Sequence, residues 1–182
     1  TILAFDLYCR VPFSKISKCN KDIIELANLI GRTPSSVGLK MANLAHFDPD
    51  IKAKNLSGMA NTSKLDEEIF IEFANDWDEL SYQAQLIKAS LSNKPIEEVI
   101  EKNVVAELEE IPAGKYRETI MKTRVGQYFF RMSVLSAYRN RCCVTGILLP
   151  EWLVASHLKP WKISDEKTER TVEDGIYRIS VF

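Results

Sequence analysis

A chain of 182 residues, 46% hydrophobic and 27% charged, has room for one large domain or two small ones, and that composition excludes a predominantly disordered protein. Its apolar runs fall far short of the ~20 residues a membrane span needs, and no basic-apolar-small signal segment opens it, so a cytoplasmic protein without a membrane partner is expected. The net charge of −1 conceals an asymmetry: residues 112–170 carry eleven Lys and Arg against five Asp and Glu, a net of +6, which leaves −7 on the rest. A phosphate-rich partner would account for the basic half, although a surface of this size often carries a few extra lysines. The four cysteines, Cys9, Cys19, Cys142 and Cys143, show no C-x-x-C pair, and a vicinal pair bridges only through a strained turn. They are read as reduced, mostly buried thiols.

In chain order, Ile2, Leu3, Phe5, Leu7 and Tyr8 form an apolar cluster that Pro12 ends. Ile23, Leu26, Ala27 and Ile30 then recur at helical spacing, with Gly31 at the position of a C-terminal cap. Thr33 can cap a second helix with Pro34 in its first turn and Val37, Met41 and Leu44 as its buried stripe. Two helices joined by so short a turn match a helix-turn-helix, whose outward residues would be Arg32, Ser35, Ser36, Lys40 and Asn43. Many helical hairpins have the same turn without touching DNA. The run Ile30-Gly31-Arg32-Thr33-Pro34-Ser35-Ser36-Val37 with Lys40 also resembles the N-terminal domain that precedes HNH domains in restriction-type endonucleases.

His46 closes this helix, where its interaction with the helix dipole is sufficient explanation. After cap residues Asn61, Thr62 and Ser63, a helix is expected on which Ile69, Phe73, Trp77 and Leu80 stack as core, Trp77 being structural. Residues 89–114 are bracketed by Pro95 and by Pro112 and Gly114 and read as a linker with one short helix from Ile96. Val104, Val105 and Leu108 offer it a docking surface.

A helix from Arg124 buries Phe130, Val134, Leu135 and Tyr138, and presents Arg124, Gln127 and Arg131 on another face. Those side chains are either solvated or paired with acidic neighbours, or they bind phosphates, for which arginine's donor fork is suited. Short strands are then expected at Cys142–Val144, Ile147–Leu149 and Leu153–Ala155, with Thr145-Gly146 as a turn, delivering His157 at or just beyond a strand end. A lone histidine there is more commonly structural than catalytic.

Gln127 and Arg131, Cys-x-Val-Thr-Gly at residues 142–146 and Ala-Ser-His-x-Lys-Pro-Trp at residues 155–161 occur in the order found in the HNH, or ββα-metal, endonucleases, which this region resembles from Arg124 to Arg170. The resemblance implies that His157 is the general base that takes a proton from the attacking water, that Lys159 neutralises a phosphate, and that a divalent metal ion, Mg²⁺ or a transition metal, assists hydrolysis of double-stranded DNA. An imidazole suits that role because its ordinary pKa, near ~6.5, leaves it neutral and able to accept a proton at cellular pH. The chain departs from the family's pattern after Trp161: the segment that would supply the metal ligands is not recognisable, which leaves them unknown. The final alternating stretch from Thr171 looks like the strand that follows the metal helix, so a segment is expected to be missing between Arg170 and Thr171.

The expected fold class is thus α+β: a helical DNA-recognition domain with a helix-turn-helix-like pair over residues 1–88, a linker over 89–114 and an HNH domain over 115–182. The expected function is a metal-dependent endonuclease of restriction type, a possible homodimer if it cuts both strands. The alternative is a non-catalytic DNA-binding or regulatory protein with a degenerate HNH remnant.

Overall fold

Six consecutive buried residues, Leu3 to Tyr8, make the first helix the axis of the fold, since a helix without a polar face must be enclosed by others. In a computed structural model of the chain, the residues described are 1–53, 58–59, 62–74, 76–100, 102–108, 111–157 and 175–179; for 157 and 175–179 this is the backbone course. The helices are α1 (Ile2–Arg10), α2 (Lys21–Leu29), α3 (Pro34–Leu44), the short α4 (Pro49–Ala53), α5 (Lys64–Phe73), α6 (Trp77–Ser92), α7 (Lys102–Leu108) and α8 (Lys115–Ala137). The strands are β1 (Leu153–His157) and β2 (Gly175–Ile179), paired antiparallel. The described residues are therefore mostly helical.

The main core gathers Leu3, Phe5 and Leu7 of α1, Ile23 and Leu26 of α2, Val37, Met41 and Leu44 of α3, Phe73 of α5, Leu80 and Ala84 of α6, and Phe129 of α8. Each large apolar side chain fully buried there contributes on the order of 1.5–3 kcal/mol. One charge is enclosed with them. Asp6 is 1% exposed, and its carboxylate accepts from Arg10, one turn on, and lies 3.4 Å from the Lys88 ammonium of α6. Two cations on a buried carboxylate supply the charge compensation that burial requires.

The α2–α3 pair forms as Gly31 and Thr33 predict. Asn20 caps α2 by accepting from the backbone N–H groups of Asp22 and Ile23, and Thr33 caps α3 by accepting from that of Ser36. Gly31, at φ 63°, ends α2: its N–H donates to Asn28 and that of Arg32 donates to Ala27 at 2.9 Å, the paired bonds of a Schellman turn.

The expected single helix through Ile69, Phe73, Trp77 and Leu80 is instead two. α5 starts with a capping box of Ser63 and Asp66 and gives way after Ala74, and Asp76 caps α6 by accepting from the Glu79 N–H at 3.1 Å. The apolar spacing spans the break because both helices bury their stripes in one core, so periodicity alone joined them. The cap at Asp76 followed by acidic residues was the signal that separates them. Trp77 is structural, its ring set edge-on to Phe129 and its indole N–H donating to Ala74 O.

The boundary expected at residue 88 falls inside α6, which continues to Ser92 and stops because Asn93 adopts a left-handed conformation, φ 50°. The expected linker is docked. In place of one helix from Ile96 there is a 3₁₀ turn at Ile96–Glu98 and then α7, whose Val104 and Leu108 pack with Ile100 against Met121 and Val125 of α8. The Arg117 guanidinium holds its exit by donating to Leu108 O and Ile111 O at 3.0 and 2.8 Å. α8 begins at Lys115, well before the start expected at Arg124; its first half packs with the helical assembly and its second half carries the C-terminal module.

That shared helix depends on a close approach. A Cβ at Gly126 would run into the Asp78 carboxylate of α6. Leucine is the better helix former by ~1 kcal/mol, yet Gly126→Leu is expected to destabilise the chain by about 1–3 kcal/mol through overpacking. A lowered urea midpoint at unchanged slope would report it.

Candidate nucleic-acid interface

The second half of α8 carries its own small core of Val134, Leu135, Cys142 and Leu153, against which Phe130, Met132, Tyr138 and Ala155 pack. Arg139 and Asn140, both left-handed at φ 54° and 56°, turn the chain out of α8. Next comes a closed turn rather than the expected strands. The Cys142 N–H donates to Ile147 O at 2.9 Å, the Gly146 N–H donates to Cys142 O at 3.0 Å, and the Thr145 N–H points at Cys142 Sγ at 3.4 Å. Hydrogen bonds from Thr145 lower the Cys142 thiol below its ordinary pKa. β-branched residues had suggested strands at 142–144 and 147–149, but bonding within the turn captures the backbone groups a ladder would use, and Ile147, Leu148 and Leu149 are left exposed. The thiols are not mostly buried either: Cys142 is, whereas Cys19 and Cys143 are exposed.

A 3₁₀ turn at Pro150–Trp152 leads into β1. Leu153 is buried and Ala155 packs on the α8 core, whereas Val154 between them is 42% exposed, the alternation of a strand with one covered face. His157 is the last residue of β1, opposite Gly175 of β2, and a strand end is where the sequence led one to expect it. Lys159, Trp161 and the junction at Arg170–Thr171 lie outside the described residues.

Arg131 has a different employment from the phosphate contact expected of it. Its guanidinium, half-buried, donates to Leu153 O and, at 2.8 Å, to Pro150 O. Both carbonyls belong to the approach to β1, so this arginine fastens the strand to α8. No sequence signal pairs an arginine with carbonyls 19 and 22 residues away. Arg124 and Gln127 are exposed and lie on one face, where Arg124 donates to the Gln127 side-chain oxygen at 2.8 Å.

On the helix pair, Arg32, Ser35 and Ser36 are exposed at the start of α3, and Asn43 is half-buried. Lys40 does not point outward as expected. Its ammonium donates to both Asp66 oxygens, at 2.8 and 3.0 Å, because Asp66 is fully buried and needs a counter-charge. α3 packs on α1, α2 and α5, whereas β1 packs on α8, so the two sets of candidate residues are carried by separate elements.

Asp66 also makes stability pH-dependent. Burial opposes its ionisation, but hydrogen bonds from Lys40 and Ser63 outweigh that and hold its pKa below the ordinary carboxylate value. A depressed folded pKa contributes stability that is present above the unfolded value, near ~3.9, and is lost as pH falls through the folded value. Asp66→Asn is therefore expected to lose on the order of 1 kcal/mol at pH 7 and to show a shallower decline in urea midpoint below about pH 4 than wild type.

A divalent ion would need carboxylate, imidazole or thiolate donors drawn together. Among the described residues no group of three or more His, Cys, Asp or Glu is so arranged, so these residues do not furnish the metal site that the resemblance implies. No described helix is long and apolar enough to cross a membrane. No family model, curated protein or solved structure matches this chain.

Proposed function

We propose that the chain is a DNA endonuclease of restriction type, in which His157 of a C-terminal ββα-metal (HNH) domain acts as general base and the N-terminal helices recognise duplex DNA. The observation that carries this reading is the seating of the motif. Its histidine ends a strand that packs on the same helix that bears its glutamine and arginine, with the Cys-Val-Thr-Gly turn between them. The imidazole takes a proton from water as the water oxygen bonds to phosphorus and the bond to the 3′ oxygen breaks. Exposed Arg32, Ser35 and Ser36 are suited to backbone and groove contacts, and exposed Arg124 and Gln127 to phosphates near the scissile bond. Lys159 would stand two residues past the histidine, as a further phosphate contact.

The test is incubation of the full chain with supercoiled plasmid and Mg²⁺, Mn²⁺ or Ni²⁺. Metal-dependent nicking that is lost in His157→Ala supports the reading, and cutting by that variant at the wild-type rate overturns the mechanism. Salt-sensitive duplex binding without cleavage under any of the three ions would instead identify a DNA-binding protein with a non-catalytic HNH remnant.

A further inference from the structure

We infer that Arg131 is a positioning residue for His157: its guanidinium, clamped on the Pro150 and Leu153 carbonyls, fixes the strand that delivers the histidine. The inference rests on the proposed nuclease reading for its catalytic consequence, and on geometry for the tether itself. β1 is only five residues long and pairs with one described neighbour, β2. Such a two-stranded ribbon is marginal unless it packs on something else. Among its described side chains, those that pack on the α8 core are Leu153 and Ala155. Two charge-assisted bonds to main-chain carbonyls therefore form a large part of what sets the strand's position along the helix. The planar fork reaches Pro150, at the start of the 3₁₀ turn, and Leu153, the first residue of β1, so it fixes both ends of that turn at once. A lysine ammonium has no such fork and cannot reproduce the two-pronged geometry. His157 lies four residues beyond Leu153 along the strand, and a general base is sensitive to displacement because proton transfer requires hydrogen-bond reach of the water. Misplacement by about 1 Å is enough to cost on the order of 10²-fold in rate.

A residue that binds phosphate and one that positions a strand make opposite predictions. Loss of a phosphate contact weakens DNA binding and lowers the salt dependence of the affinity by about one ion. Loss of a tether leaves binding alone and slows the chemical step. The experiment compares full-length wild type, Arg131→Lys and Arg131→Ala by three measurements: duplex affinity against salt, single-turnover plasmid cleavage, and amide hydrogen exchange across residues 150–157. For Arg131→Lys the expected result is DNA affinity and salt slope within about twofold of wild type, cleavage slowed by at least ~10-fold, and faster exchange over 150–157 with the protection of α1 and α6 unchanged. Arg131→Ala is expected to show the same pattern more strongly. An unchanged exchange profile in both variants, or a cleavage defect that follows a matching loss of affinity and salt slope, overturns the inference. If wild type does not cut, the nuclease reading fails and the catalytic role of Arg131 fails with it, while exchange still decides whether the arginine holds the strand.

Discussion

His157→Ala is expected to lower metal-dependent DNA cleavage by about 10²–10⁴-fold, the usual contribution of a positioned general base. The loss should appear in the single-turnover rate rather than in duplex affinity. An imidazole that deprotonates the attacking water acts on the transition state, whereas the duplex contacts proposed above belong to other side chains. His157→Gln is the sharper control, since it keeps a polar side chain of similar reach yet cannot accept the proton. It should be as slow as His157→Ala. A variant that binds weakly but cuts normally once bound would identify His157 as a DNA contact instead of a base.

Phe129→Ala is expected to cost about 3–5 kcal/mol, through lost burial and the cavity left behind. Phe129 is 2% exposed, lies in the main core with Phe5, Leu80 and Ala84, and meets the Trp77 ring at a centroid distance of 5.8 Å. It is also the buried α8 side chain in that core, and it joins α8 to the N-terminal helices alongside the close approach at Gly126. Its removal loosens the platform on which β1 is built, so the variant should lose cooperativity as well as midpoint in urea unfolding. A loss below about 1 kcal/mol would mean that α8 is held mainly by Met121 and Val125 against α7. A milder Phe129→Leu variant keeps the chain folded if the alanine variant proves too unstable to study.

The acid-sensitive pair at Asp66 and the arginine at 131 illustrate one difficulty. In both cases a charged residue with an outward-looking sequence context is claimed by a partner distant in the chain: Lys40 by a carboxylate 26 residues on, Arg131 by carbonyls 19 and 22 residues on. Neither partner shares an element with it. Helix faces specify which residues share a side, but not what the tertiary fold sets opposite that side. The candidates that stay exposed are Arg32, Ser35, Ser36, Arg124 and Gln127.

By itself the sequence determined what is local. The caps at Thr33 and Ser63, the stop at Gly31, the buried stripes of α2 and α3 and the arrival of His157 at a strand end all follow from bonds within a few residues or from periodicity, and each is written in the chain. Tertiary structure alone decided what depends on long-range partners: the gathering of the α5 and α6 stripes into one core, the choice of α8 as the surface on which residues 96–108 dock, and the use of Lys40 and Arg131 as internal fasteners. Buried charge and unpaired backbone are costly enough to recruit whichever donor the fold brings near, and proximity across the fold is not encoded in spacing along the chain.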